Sequence, residues 1–99
     1  MKYEISQTDV FRSWLKSLKD RQAVIKINAH LLRVENGNFG DAKSVGGGVY
    51  ELRIFVGKGY RVYYTVRGSK LVLLLCGGHK GAQSKDIQVA KMLLKELEG

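Results

Sequence analysis

Between Gly48 and Val66 the chain reads Gly-Val-Tyr-Glu-Leu-Arg-Ile-Phe-Val-Gly-Lys-Gly-Tyr-Arg-Val-Tyr-Tyr-Thr-Val. Two alternating stretches flank Gly57-Lys58-Gly59, whose glycines supply the positive φ that a tight reversal needs. Leu52, Ile54 and Val56 fall on one face of the first strand, and Glu51, Arg53 and Phe55 on the other. On the second strand Tyr60, Val62, Tyr64 and Val66 share a face, opposite Arg61, Tyr63 and Thr65. Closing the hairpin across the three-residue turn pairs Val56 with Tyr60, which sets Arg53 opposite Tyr63 and Phe55 opposite Arg61. One face then enters a core, and the other carries two arginines, two aromatic rings and a carboxylate. A slip of one residue would mix the faces, so the pattern itself argues for this pairing.

With 99 residues the chain is expected to form one domain, residues 1–99, with a core large enough to need neither metal nor disulfide support. Seventeen Lys and Arg against nine Asp and Glu give a formal charge of +8, which in so small a chain points to a polyanionic partner. Cys76 stands alone, which excludes an internal disulfide framework and a cysteine-rich zinc site. No run approaches the ~20 apolar residues of a membrane span, and no secretory leader opens the chain. A cytoplasmic protein without membrane association is expected.

In chain order, Met1 to Ser6 is a short edge strand with Tyr3 and Ile5 inward. Thr8 caps a helix whose apolar stripe is Phe11, Trp14, Leu15 and Leu18, with Asp9 well placed in its first turn. Asp20 caps a second helix running to about Glu35, with Val24, Ile27, Leu31 and Val34 inward and Gly37 as its stop. Asn36 to Gly48 holds five of the twelve glycines, as well as Lys43, and reads as a mobile loop. After the hairpin, Arg67-Gly68-Ser69 turns into Leu71-Val-Leu-Leu-Leu-Cys76, apolar on both faces and so expected as a central strand covered on both sides. Gly77-Gly-His-Lys-Gly leaves that strand. Ser84 is expected to cap a last helix with Ile87, Ala90, Leu94 and Leu97 inward. The order β-α-α-β-β-β-α predicts an α+β fold: an antiparallel sheet with two N-terminal helices and one C-terminal helix, packed mainly on one face.

Several chemistries are excluded by pattern. Neither Lys58 nor Lys80 sits in a phosphate-binding loop motif, and His30 and His79 without a cysteine pair make no structural zinc site. His30 is expected on a helix surface and Cys76 in the core. What remains is cationic. Arg53 and Arg61 project from the same sheet face, and Lys80 leaves the strand expected beside them, a set suited to gripping phosphate. Phe55 and Tyr63 offer rings on which an unpaired base can stack. Strand arginines also pair with cross-strand carboxylates, here Glu51. His79, in a glycine-rich loop, can titrate near neutrality.

Glu51-Leu-Arg-Ile, Gly59-Tyr-Arg-Val-Tyr-Tyr64, the apolar strand, Gly77-Gly-His-Lys and Asp86-Ile together resemble the RelE/ParE superfamily of bacterial toxins. Within it the likeness is to the small branch of addiction-module killer proteins, the HigB-like toxins. Phe11-x-x-Trp14-Leu15, Gly37-Asn-x-Gly-Asp41 and Lys43-x-Val-Gly46 extend it over nearly the whole chain. The resemblance implies a small RelE-like fold and a ribosome-dependent mRNA endonuclease held inactive by a cognate antitoxin, a helix-turn-helix protein. By residue, Arg53, Arg61 and Lys80 resemble the family's cations around the scissile phosphate. Glu51 falls where members carry lysine or glutamate, as base or as positioning group. Where others place an aromatic or histidine on the RNA, this chain has Gln83 and Asp86, and His79 is the nearest substitute as general acid. Lys43, Phe55, Lys58, Tyr63, Gln83 and Asp86 make up the implied RNA-contacting set.

That chemistry suits these residues without a metal or other cofactor. The RNA 2′-hydroxyl can attack the adjacent phosphate once its proton is accepted, and arginines and a lysine can stabilise the charge that develops. Paired carboxylates, which a two-metal nuclease needs, are missing from the set. Two other functions remain open. The same fold serves ParE-like inhibitors that bind DNA gyrase, and a basic face can simply grip nucleic-acid backbone without catalysis.

Overall fold

A computed structural model describes residues 2–98, and Met1, included in the expected first strand, lies outside them. The elements are β1 (Glu4–Gln7), α1 (Asp9–Ser17), α2 (Arg21–Glu35), β2 (Ala42–Gly46), β3 (Val49–Ile54), β4 (Tyr60–Arg67), β5 (Leu71–His79) and α3 (Gln83–Glu98), with one 3-10 turn at Lys80–Ala82 before α3. The strands form one mixed sheet in the order β1-β5-β4-β3-β2. The α+β class stands, and three expectations about its layout change. β1 runs parallel to β5, whereas the remaining neighbours are antiparallel. A fifth strand, β2, lies in the glycine-rich segment expected as a mobile loop, and pairs with β3 through a bulge between Ser44 and Gly46. β4, not β5, is the middle strand.

The helices also divide between the two faces. Phe11 of α1 and Ala23, Ile27 and Val34 of α2 pack with Leu52, Ile54, Tyr60, Val62, Tyr64, Val72 and Leu74 on one side. Ala90 and Leu94 of α3 pack with Val49, Tyr63, Leu75 and Cys76 on the other. β5 is apolar on both faces for this reason: each face meets a different helical layer. Leu97, expected inward, is exposed, and the inward face of α3 is carried by Ala90 and Leu94.

Two of the three expected N-caps act as read. Thr8 Oγ1 accepts from the Phe11 amide at 3.0 Å and donates to the Leu75 carbonyl at 2.5 Å, so one hydroxyl both starts α1 and ties it to β5. Asp20 Oδ1 accepts from the Ala23 amide at 3.2 Å and starts α2. Ser84 does not cap α3. The chain enters that helix through the 3-10 turn, where His79 Nδ1 accepts from the Gly81 amide at 3.2 Å.

The hairpin register differs from the expected one by two residues. Ile54 pairs with Tyr60, Arg53 with Arg61, Leu52 with Val62 and Glu51 with Tyr63. The closing loop is therefore residues 55–59, with Gly57 at φ 55° and Gly59 at φ 87°. A shift of two keeps every side chain on its expected face and changes only its partner.

Gly77 and Gly78 fix how closely the two helical layers approach. A Cβ on Gly77 would collide with the Trp14 ring, and one on Gly78 with the Asp86 carboxylate. Adjacent strand residues face opposite ways, so one glycine admits α1 and the next admits α3. Gly77→Ala should therefore lower stability by about 1–3 kcal/mol, the range for an overpacked core. Urea unfolding followed by Trp14 fluorescence checks it. Cys76 lies in the second core, where burial and then the nearby Asp86 charge push its thiol up to about 12. In native protein at pH 8 it should resist thiol reagents and react only as the fold opens, a difference read by timed alkylation with and without denaturant.

Candidate functional site: a cationic groove

The observed register sets two arginines directly across from each other. Like charges so placed repel, and each is offset by its own carboxylate. Arg53 Nη2 donates to Asp41 Oδ1 at 3.2 Å, and its Nε lies 3.2 Å from Asp41 Oδ2 without hydrogen-bond geometry. Arg61 Nε lies 3.5 Å from Glu51 Oε2, and the Arg61 side chain makes no hydrogen bond among the described residues, with Nε and Nη1 enclosed. The cross-strand pairing with Glu51 thus occurs for Arg61. Asp41, which contributes to the site through Arg53, was not singled out from the sequence. Its one signal was its place in the Gly37–Asp41 motif.

Arg53, Arg61 and Lys80 line a groove of about 320 Å³ beside the β3–β4 turn, together with Phe55 and Lys58. Lys80 is held there by the turn itself. Its amide donates to the Gly59 carbonyl at 3.3 Å, and its methylenes lie against the Gly59 backbone, where a Cβ would crowd them. Phe55 is 72 % exposed, with the Arg53 guanidinium 6.0 Å from the ring centroid. Loop closure frees Phe55 from the ladder and leaves a ring standing in solvent beside three cations, which suits stacking of an unpaired base.

The other sequence-selected residues separate into distinct roles. Glu51 is wholly buried. Tyr63 Oη donates to its Oε2 at 3.2 Å, Gln83 Nε2 donates to the same oxygen at 2.7 Å, and Lys43 Nζ stands 4.0 Å from Oε1. Tyr63 is equally buried, beneath α3, which removes it as a stacking platform. Burial, followed by the Glu51 charge and hydrogen bond, raises its phenol far above the ordinary value, so it stays a donor. Gln83 is tied to Glu51 rather than free for RNA. Asp86 is pressed against Gly78, with Oδ2 enclosed and lacking a hydrogen-bond partner. Burial raises its carboxyl pKa, against the opposing pull of His79 and Lys85. His79 is exposed at the end of β5. Its Nδ1 is occupied by the cap, so the neutral ring carries its proton on Nε2. His30 is half-buried on α2, where burial, then Arg33 and Lys26, lower its pKa. Among the described residues no group of three or more His, Cys, Asp or Glu could hold a metal ion, and no helix is long and apolar enough to cross a membrane.

Fold and groove together define a small basic α+β protein with cations gathered at one end of its sheet. The chain belongs to the family described as phage derived protein Gp49-like (DUF891), which it matches over residues 13–95. It is 53% identical over 97 residues to an uncharacterized protein of Haemophilus influenzae, covering 98% of each chain. Its structure resembles that of a doubly arginine-substituted mutant of the E. coli toxin RelE in the free state. The TM-score is 0.73 at 18% identity, with 93% of this chain and 96% of that chain covered. This likeness shows the fold, which the chain shares with RelE.

The Arg53–Asp41 pair is more than a third exposed on both sides, so it adds little to stability. Asp41→Asn should change unfolding free energy by no more than about 1 kcal/mol. It should tighten binding of inorganic pyrophosphate, because Arg53 loses its internal counter-charge. Urea unfolding and calorimetric titration check both, and weaker binding would mean that Asp41 chiefly holds Arg53 in place.

Proposed function

We propose that this protein is the toxin of a toxin–antitoxin pair, of the HigB-like kind, and that it cleaves mRNA on the ribosome by metal-free transesterification. The observation that carries the reading is the facing pair Arg53 and Arg61, which lines one groove with Lys80 beside an exposed aromatic ring. Three fixed cations suit a phosphodiester, and Phe55 suits a base unstacked next to it. In the reaction the 2′-hydroxyl oxygen bonds to phosphorus and the bond from phosphorus to the 5′-oxygen breaks. The products are a 2′,3′-cyclic phosphate and a 5′-hydroxyl. One proton passes from the attacking hydroxyl to a solvent water and one is given to the departing oxygen, so the protons balance. Arg61 and Lys80 stabilise the charge on the phosphorane oxygens, where preorganised donors have their largest effect. His79 is the proton donor this reading favours for the 5′-oxygen: as imidazolium, with Nδ1 protonated and released from the Gly81 amide, it gives up its Nε2 proton.

The family also supports a partner. The +8 chain suits an acidic antitoxin segment that covers the cationic face, supplied by a helix-turn-helix protein, and a ribosomal target places the toxin in the cytoplasm. Induced expression should arrest bacterial growth and produce new 5′ ends within translated regions. Arg61→Ala should leave the fold intact and lower the single-turnover cleavage rate on programmed ribosomes by ~10²–10³, with partial recovery in Arg61→Lys. Growth arrest with intact transcripts and defective supercoiling would replace this reading with gyrase inhibition. A folded Arg61→Ala variant cleaving at the wild-type rate would reduce the groove to a binding surface.

A further inference from the structure

Glu51 is a charged residue with no exposed surface, on a strand that borders the groove. We infer that it is a positioning residue: it sets the guanidinium of Arg61 toward the groove and does not take the proton of the attacking hydroxyl. The inference rests on the reading of Arg61 as the group that grips the scissile phosphate.

Three features of the site carry it. The first is access. A general base must come within about 2.6–3.2 Å of the proton it removes. Glu51 Oε2 already accepts from Tyr63 at 3.2 Å and Gln83 at 2.7 Å, with Arg61 Nε 3.5 Å away on a further side. Oε1 is likewise sealed, with Lys43 Nζ 4.0 Å from it. No substrate hydroxyl can reach either oxygen without dismantling the packing of α3 on the sheet.

The second feature is what Glu51 does to Arg61. The Arg61 side chain is only 14% exposed; among the described residues no hydrogen bond fixes its guanidinium and Glu51 is its one close counter-charge. The attraction orients the head: Nε and Nη1 are enclosed, and Nη2 is the nitrogen left to meet an incoming anion. The third is the opposing arginine. Arg53 is paired directly across from Arg61, and without Glu51 the two heads would be driven apart. Tyr63 and Gln83 hold the carboxylate in place, so the order of control runs from α3 and β4 through Glu51 to Arg61.

A double-mutant cycle on ribosome-programmed single-turnover cleavage tests this. Glu51→Gln keeps the shape and an acceptor for Tyr63 and Gln83 but removes the charge that orients Arg61. It should lower the rate by about 10- to 100-fold, the loss typical when a group orienting a functional ligand is removed. In an Arg61→Ala background the same change should cost nothing more, because its target is gone. The pH–rate profile of Glu51→Gln should keep the wild-type shape. Tyr63→Phe and Gln83→Met, which each remove one anchor from Glu51, should show smaller losses that also vanish without Arg61. Multiplicative losses with Arg61→Ala, or a titration limb that disappears in Glu51→Gln, would make Glu51 the base and overturn the proposal. An unchanged rate with a lowered melting temperature would make its role purely structural, and would also overturn it. A readout independent of cleavage is the Arg61 Nε–H resonance, assigned by its loss in Arg61→Ala. It should exchange slowly in the wild type and quickly in Glu51→Gln, and equal protection in both refutes the proposal. Slow exchange that depends on Glu51, in a wild-type protein that cleaves no RNA, would uphold the positioning and refute the nuclease reading alone.

Discussion

A carboxylate shut away from water must be met by donors or opposite charges, because an uncompensated buried charge costs several kcal/mol or more. At Glu51 those partners come from Lys43 on β2, Arg61 and Tyr63 on β4, and Gln83 at the start of α3. Much of the architecture follows from satisfying this one group. Tyr63 lies opposite Glu51 only in the observed register. α3 cannot slide a turn along the sheet without carrying Gln83 away from the carboxylate. Lys43, directly across from Glu51 on β2, adds charge compensation from the outer strand.

The two helical layers explain why such a group can be buried at all. α1 and α2 fill one side of the sheet, so the opposite side is free to be sealed by a single helix over Val49, Tyr63, Leu75 and Cys76. That seal covers the middle of β3 and β4 and stops short of their turn. The same strand face is therefore dry at Glu51 and Tyr63, mostly covered at Arg61, partly covered at Arg53, and open at Phe55. The gradient of burial along one face creates the groove: cations stand at its wet end on a rigid frame, with their counter-charges behind or beside them. Gly77 and Gly78 set the depth of both layers, and Gly59 lets Lys80 lie close enough to join the arginines.

Electrostatics then acts at two ranges. At long range the +8 chain draws polyanions toward it, an attraction that salt weakens. At short range the Arg61 side chain is aligned by an ion pair but bound by no hydrogen bond among the described residues, and Arg53 keeps a partly exposed pair with Asp41 that a phosphate can displace. A strongly hydrogen-bonded arginine would be better anchored and a poorer receptor. The arrangement is suited to a ligand that carries its own dense charge, as a phosphodiester does.

The sequence alone determined what depends on short-range periodicity and local caps. It showed the two faces of the hairpin, the doubly covered apolar strand, the caps at Thr8 and Asp20, and the convergence of Arg53, Arg61 and Lys80. It also carried the motifs that marked the RelE/ParE likeness. Alternation repeats every two residues, so it could place Arg53 and Tyr63 on one face but could not distinguish a register from its neighbour two residues away. β2 was illegible because Ala42–Gly46 has little alternation and owes its extended form to ladder bonds with β3. The parallel pairing of β1 with β5, and the docking of α3 on the face opposite α1 and α2, arise from contacts distant in the chain. So do the burial of Tyr63 and the closure of Gln83 over Glu51, which turned two expected RNA contacts into internal supports. Only the tertiary structure could decide these, because burial is a property of what packs above a residue, and what packs above Glu51 is a helix that starts thirty-two residues later.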